Sequence, residues 1–276
     1  MTRKSCYIFS SAQSQGATNI RDNGSRFSVN LNYPLHLPND AKHATCEVIQ
    51  ANIWNTSPNI SPAFNNDIFV ANDGKKLVSI QIEKGLYDIT TLTAQLELQW
   101  DSYIDPLDGK TGVANKWNTL FLMTGNDSTQ KVSIEFITSD NQVLIDWTQT
   151  TLRSILGFAS NALQKPVSQN GSLTADYIAD FNNLNAYYLH TDLVGNGIPT
   201  NSTYSQVISV IPVTAAPGNL IVFQGQNENL FADCNNLVGM NNSRSTFSFW
   251  LTTETNTPID MNGEEWSFTL LFKWEV

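Results

Sequence analysis

The chain has 276 residues, of which 41% are hydrophobic and 11% aromatic, enough to bury a sizeable core in one large all-β domain. Only 14% are charged, and a formal net charge of -10 with a pI near 4.6 argues against a nucleic-acid partner, which needs a Lys/Arg patch to release counterions from phosphates. Cys6, Cys46 and Cys234 form no CxxC pair and no apolar run reaches the roughly 18 residues of a membrane span, which argues against a disulfide framework, a zinc site and a membrane-spanning segment.

Residues 1–25 are rich in Ser, Gln, Asn and Gly and show neither the strand nor the helix period, so a flexible N-terminal arm is expected. Arg3, Lys4 and Arg21, with Arg26 just beyond, outnumber the single acid Asp22 there, which makes the arm a candidate for contacts with a neighbouring subunit or an acidic inner surface. The basic start lacks an apolar h-region, so synthesis in a reducing compartment is expected. RFSVNLNY is the first clear strand, with Phe27, Val29, Leu31 and Tyr33 on one face and Ser28, Asn30 and Asn32 on the other. HATCEVIQANIW reads as a longer strand whose apolar phase changes near Val48 and Ile49, the sign of a bulge or of burial on both faces.

The Pro- and Asn-rich NTSPNISPAFNND is a loop, and DIFVA and LVSIQIE are strands joined at Asn72-Asp73-Gly74, a hairpin signal. GLYDITTLTAQLELQW breaks the β pattern. Ile89, Leu92, Leu96 and Trp100 recur at three- and four-residue spacing behind Asp88, which can cap the first turn, so a helix is expected. Beyond it, KVSIEFI is a strand and TLRSILGF a short helix stopped by Gly157, but residues 101–184 as a whole read as an irregular, insertion-like region.

The last third returns to β with AYYLHT, SQVISVIPV, GNLIVFQ, STFSFWLTT and WSFTLLFKW. In the last of these Trp266, Phe268, Leu270, Phe272 and Trp274 all face one way, which implies a central strand buried against a second sheet. The fold class that follows is all-β, a two-sheet jelly-roll sandwich over residues 26–276 with two short helical excursions and long inserted loops.

Chemistry is sparse in this pattern. His36, His43 and His190 have no ligand spacing, and no GxSxG, HExxH or phosphate-cradling glycine loop is present. Glu264 and Glu265 are adjacent and point to opposite faces of a strand, while Glu83, Glu97 and Glu135 need the fold to bring them together as a glycosidase pair. Asp101, Asp105 and Asp108 before Gly109 lack EF-hand spacing and read as an Asp-rich turn. Most tryptophans sit in strand or helix patterns, Trp54, Trp250, Trp266 and Trp274 among strands and Trp100 on the helix. Trp117 and Trp147, in the irregular middle, are the candidate exposed platforms for sugar stacking. No catalytic residue, cofactor or metal is read.

Taken in order, FSVNLNYPLHLP, ANIWNTSPNIS, NNDIFV, VSIQIEKGLYDITTLTAQL, ILGF and the closing SFTLLFKWEV resemble the single jelly-roll penton and minor capsid proteins of virophages and polinton-like viruses, distantly similar to adenovirus penton base. The resemblance is best from Phe27 to about Leu96, and the middle region has no counterpart in it. It implies a non-enzymatic virion protein that forms a homopentamer at icosahedral vertices and contacts the major capsid protein, with Arg3, Lys4 and Arg21 as candidate contacts of the arm. No RGD tripeptide is present, so receptor binding of the adenovirus kind is not implied. The other reading is a carbohydrate- or receptor-binding β-sandwich of the spike-head kind, built on Trp117, Trp147 and the polar loops around Asn170 and Asn196.

Overall fold

The structure, a computed structural model, describes residues 1–35, 37–104, 106, 109, 112–167, 171–182, 184–195, 197–198, 206–225, 231–234, 237–238 and 244–276. His36, Asp105, Asp108, Asn170 and Asn196 lie outside the described residues. The chain divides into two compact units, one made of Met1–Ser57 with Leu184–Val276 and the other of Pro58–Asn183. A single domain with an irregular region from about residue 101 is therefore replaced by a second unit that starts at Pro58 and has its own hydrophobic core.

The first unit opens with strands β1 (Thr2–Ser10), β2 (Ala17–Arg21), β3 (Arg26–Leu35) and β4 (Lys42–Trp54). The expected flexible arm is thus largely β-structure. β1 owes its place to two inward side chains, since Phe9 is buried against Phe249 and Phe268, with ring centroids 4.6 and 5.4 Å away, and Tyr7 meets Phe272 edge-on at 5.7 Å. Two such positions in nine residues are too few to announce a strand by period. In β4, Val48 and Gln50 oppose the consecutive residues Leu270 and Thr269, so Ile49 is the extra residue of a bulge, as the change of apolar phase predicts.

The second unit follows with β5 (Ile68–Asn72), β6 (Leu77–Gln81), α1 (Ile89–Asp101), α2 (Trp117–Leu120), β7 (Phe121–Asn126), β8 (Lys131–Phe136), β9 (Leu144–Ile145), α3 (Arg153–Leu156) and β10 (Ser172–Thr174). Its described strands form two sheets in the orders β6-β5-β9 and β10-β8-β7. At α1, the Asp88 carboxylate accepts from Thr91 N at 2.7 Å while Thr91 Oγ1 accepts from Asp88 N at 2.9 Å, a reciprocal cap that satisfies donors the helix start leaves free. Leu92, Leu96 and Trp100 form its buried stripe. The short α3 ends at Gly157, whose φ is 81° and where a Cβ would fall 2.4 Å from Tyr177 O, so no side chain fits.

The chain then returns to the first unit with β11 (Ala186–Thr191), β12 (Val207–Pro212), β13 (Leu220–Gln224), β14 (Ala232–Asp233), β15 (Arg244–Thr252) and β16 (Ser267–Glu275). One sheet runs β1-β16-β4-β13, with β14 also on β4, and the other runs β12-β11-β15-β3-β2. Leaving aside the short additions β2 and β14, the first, eighth, third and sixth strands make one sheet, and the second, seventh, fourth and fifth make the other. That interleaving is the double Greek key of a jelly roll. The second unit occupies the connection between its third and fourth strands, β4 and β11. The sheets meet over an aromatic core in which Phe27 of β3 packs on Trp266 at 4.9 Å and Phe249 of β15 packs on Phe268 of β16, also at 4.9 Å. β16 lies between β1 and β4, the central position that its unbroken alternation requires.

Candidate functional site

The two tryptophans expected as exposed platforms are core residues. Trp117 is 2% exposed, packed edge-on to Phe69 at 5.5 Å and to Trp100 at 6.0 Å. Trp147 is fully buried, stacked on Phe158 at 4.1 Å, and its Nε1 donates to Leu163 O at 2.9 Å. Both indoles fill the centre of the second unit, where rings of this size bury the most area, so neither offers a face to a sugar. Trp54 departs from expectation in the other direction, since it is 38% exposed on β4.

Arg3, Lys4 and Arg21 are all exposed, but the fold does not bring them together. Arg3 and Lys4 stand on β1 opposite Trp274 and Lys273 of the first sheet. Arg21 closes β2 on the second sheet, opposite Arg26 and at the end of the sandwich where Trp266 Nε1 donates to Gly24 O. Arg26 lies over the Trp250 ring at 5.0 Å, and Lys273 is paired with Glu47 at 2.8 Å.

The titratable candidates are equally separate. His190 is buried, its Nε2 lies 2.8 Å from Thr252 Oγ1 and its ring stacks on Trp250 at 5.3 Å, and burial pulls its pKa from 6.5 down to about 4. His43 is exposed, with a φ of 48°. Glu83, Glu135, Glu264 and Glu265 are exposed and Glu97 is half-buried on α1. Asp101 serves structure, its Oδ1 accepting from Trp117 N at 2.9 Å. Among the described residues no group of three or more His, Cys, Asp and Glu side chains converges as a metal site, and no helix is long and apolar enough to cross a membrane.

The surface that the sequence pattern did not announce is the outer face of the first sheet. Two register rows cross all four of its main strands: Ile8, Thr269, Gln50 and Gln224 in one, Ser10, Ser267, Asn52 and Val222 in the next. Beyond them Trp54 pairs with Leu220. No side chain in these rows ionises. Four of them are large and apolar, and their exposures, 77% for Ile8, 54% for Val222, 39% for Leu220 and 38% for Trp54, mark them as uncovered. The charged residues begin in the adjoining row, where Glu47 stands opposite Leu271, and the row after it holds Lys4 and Lys273. A hint was available in GNLIVFQ, where Leu220 and Val222 occupy the face opposite the buried Ile221, but only the register shows that they neighbour Trp54.

The fold so defined is a jelly roll carrying an inserted unit between its third and fourth strands. Two solved structures are similar to it over nearly its whole length. One is the mavirus penton protein, at 12% identity and a TM-score of 0.49, covering 99% of this chain and 100% of that one. The other is a chain in a structure of the Sputnik virophage, at 13% identity and a TM-score of 0.49, covering 98% of this chain and 97% of that one. No protein-family model matches the chain, and no curated protein does.

Proposed function

We propose that the protein is a viral structural protein, a penton or minor capsid protein that self-assembles into a pentameric ring at icosahedral vertices and contacts the neighbouring major capsid protein. The observation that carries this reading is the jelly-roll strand order, with the FSVNLNYPL of FSVNLNYPLHLP on β3, the ANIW of ANIWNTSPNIS on β4 and SFTLLFKWE on β16. The strands that hold those segments build the sandwich itself. The chemistry of the chain suits the role. Its function would lie in surfaces, and its low charge and many amides fit wet, polar subunit contacts, which carry about one hydrogen bond per 100–200 Å². Exposed Arg3 and Lys4, at one end of the first sheet, and Arg21 on the second are the candidate assembly contacts, with a neighbouring subunit or an acidic inner surface of the shell.

The competing sugar-binding reading loses the two indoles on which it stood, since Trp117 and Trp147 are buried. The deciding experiment is native mass spectrometry of the purified full-length chain, with negative-stain images and protein analysis of assembled particles. A five-membered ring and presence in particles support the proposal. A monomer at every concentration and salt, absent from particles, overturns it.

A further inference from the structure

We infer that the uncharged part of the outer face of the first sheet, centred on Val222, Leu220 and Trp54 and reaching Ile8, is the surface on which a second copy of this chain seats. This rests on the reading above in one respect, that copies of the chain associate with one another. It goes further in naming where.

Exposed apolar side chains scattered singly are ordinary on any protein. These are not scattered. Trp54 and Leu220 are direct cross-strand partners, Val222 lies two residues further along the same face of β13, and Ile8 sits across the sheet in the adjoining row. Amides and hydroxyls fill the positions between them, which is the composition of an interface centre, depleted in charge and holding an aromatic anchor within hydrogen-bonding groups.

Charge selects the occupant. Each copy carries a formal -10, so two copies repel wherever their carboxylates come close. The two rows themselves hold no acid; Glu47, in the row beside them, is paired with Lys273 at 2.8 Å, while Asp22, Glu254, Asp260, Glu264 and Glu265 lie in connections between strands. Rows without ionisable groups are where a like-charged copy approaches at least electrostatic cost, and they offer a basic or acidic partner nothing to pair with. The face is also stiff. Its side chains stand on a four-stranded ladder, and Ile8, Val222 and Thr269 are β-branched, so little rotamer freedom remains to be lost on docking.

The test places one carboxylate on this face and one elsewhere. Val222→Asp and, as a near-isosteric change that leaves packing untouched, Gln50→Glu are compared with Tyr177→Asp, a 66% exposed site on the second unit. Assembly of the full-length chains is followed by native mass spectrometry and sedimentation over a concentration series, with thermal melting as the fold check. Like charges juxtaposed in an interface cost several kcal/mol, so the concentration for half-assembly should rise about tenfold or more for both face variants and stay within about twofold for the control. If Val222→Asp fails to melt cooperatively, Gln50→Glu alone decides. If the wild-type chain forms its oligomer and the face variants form it equally well, this inference falls while self-assembly stands. A wild-type chain that never associates overturns this inference, and if it is also absent from particles the capsid reading falls with it.

Discussion

His190 and the cysteines show how burial sets the behaviour of single groups. With its pKa lowered to about 4 against an ordinary 6.5, His190 stays neutral in the fold while the unfolded chain takes up a proton below pH 6.5. Its contribution to stability is therefore fully present above about pH 6.5 and is lost as pH falls toward 4. After allowance for partial solvent access, the loss is about 1–2 kcal/mol. His190→Gln should flatten that part of the profile in denaturant midpoints measured from pH 4 to 7, relative to the wild type. Cys46 and Cys234 are buried, and the Cys46 thiol is pushed up first by its hydrogen bond with Cys234 and then by burial. Cys6 is exposed on β1. An aromatic-disulfide reagent should titrate one thiol in the native protein and all three after unfolding.

At the scale of elements, β1 and α1 mark what the sequence can and cannot declare. α1 was legible because its start and its buried stripe agree, Asp88 capping and Leu92, Leu96 and Trp100 following at helical spacing. Removing the cap with Asp88→Ala should cost about 1 kcal/mol, read as a lowered unfolding midpoint. The strands β3, β4 and β16 were legible for the same reason, each burying a long alternating face. β1 was not, because an edge strand in TRKSCYIFS buries only Phe9 fully and shows polar or charged residues to solvent. The tryptophans failed differently: Trp117 lies on a four-residue helix and Trp147 in a turn, so their burial comes from partners distant in sequence, such as Phe69 and Phe158, and leaves no local period. The candidate face was hidden for a related reason, since register joins residues 54 and 220 and sequence order does not. The structure makes β1 part of the fold, so Phe9→Ala should destabilise by about 3–5 kcal/mol in equilibrium unfolding. A flexible arm would tolerate the change.

At the scale of the whole molecule, the two-unit division predicts separability. The ends of the inserted unit are tied together, as Asn59 Nδ2 donates to Phe181 O at 2.9 Å. The jelly roll's own cut ends converge too, with Asn55 Nδ2 donating to Ala215 O and Val213 N donating to Asn185 O, both at 2.9 Å. A chain spanning Pro58–Asn183 should therefore melt cooperatively by itself, and so should a jelly roll in which a short Gly-rich linker replaces it, both followed by circular dichroism. The pairing of β1 with β16 has a consequence for the order of events at the ribosome. The inserted unit is contiguous and can fold as it emerges, whereas β1 waits for a partner encoded at the other end of the sequence, with Met1 N and Val276 O closing to 2.8 Å across a separation of 275 residues. Ile8 joins the uncharged rows only when β16 arrives, so on the inference drawn above a chain whose translation aborts before β16 would present an incomplete docking surface.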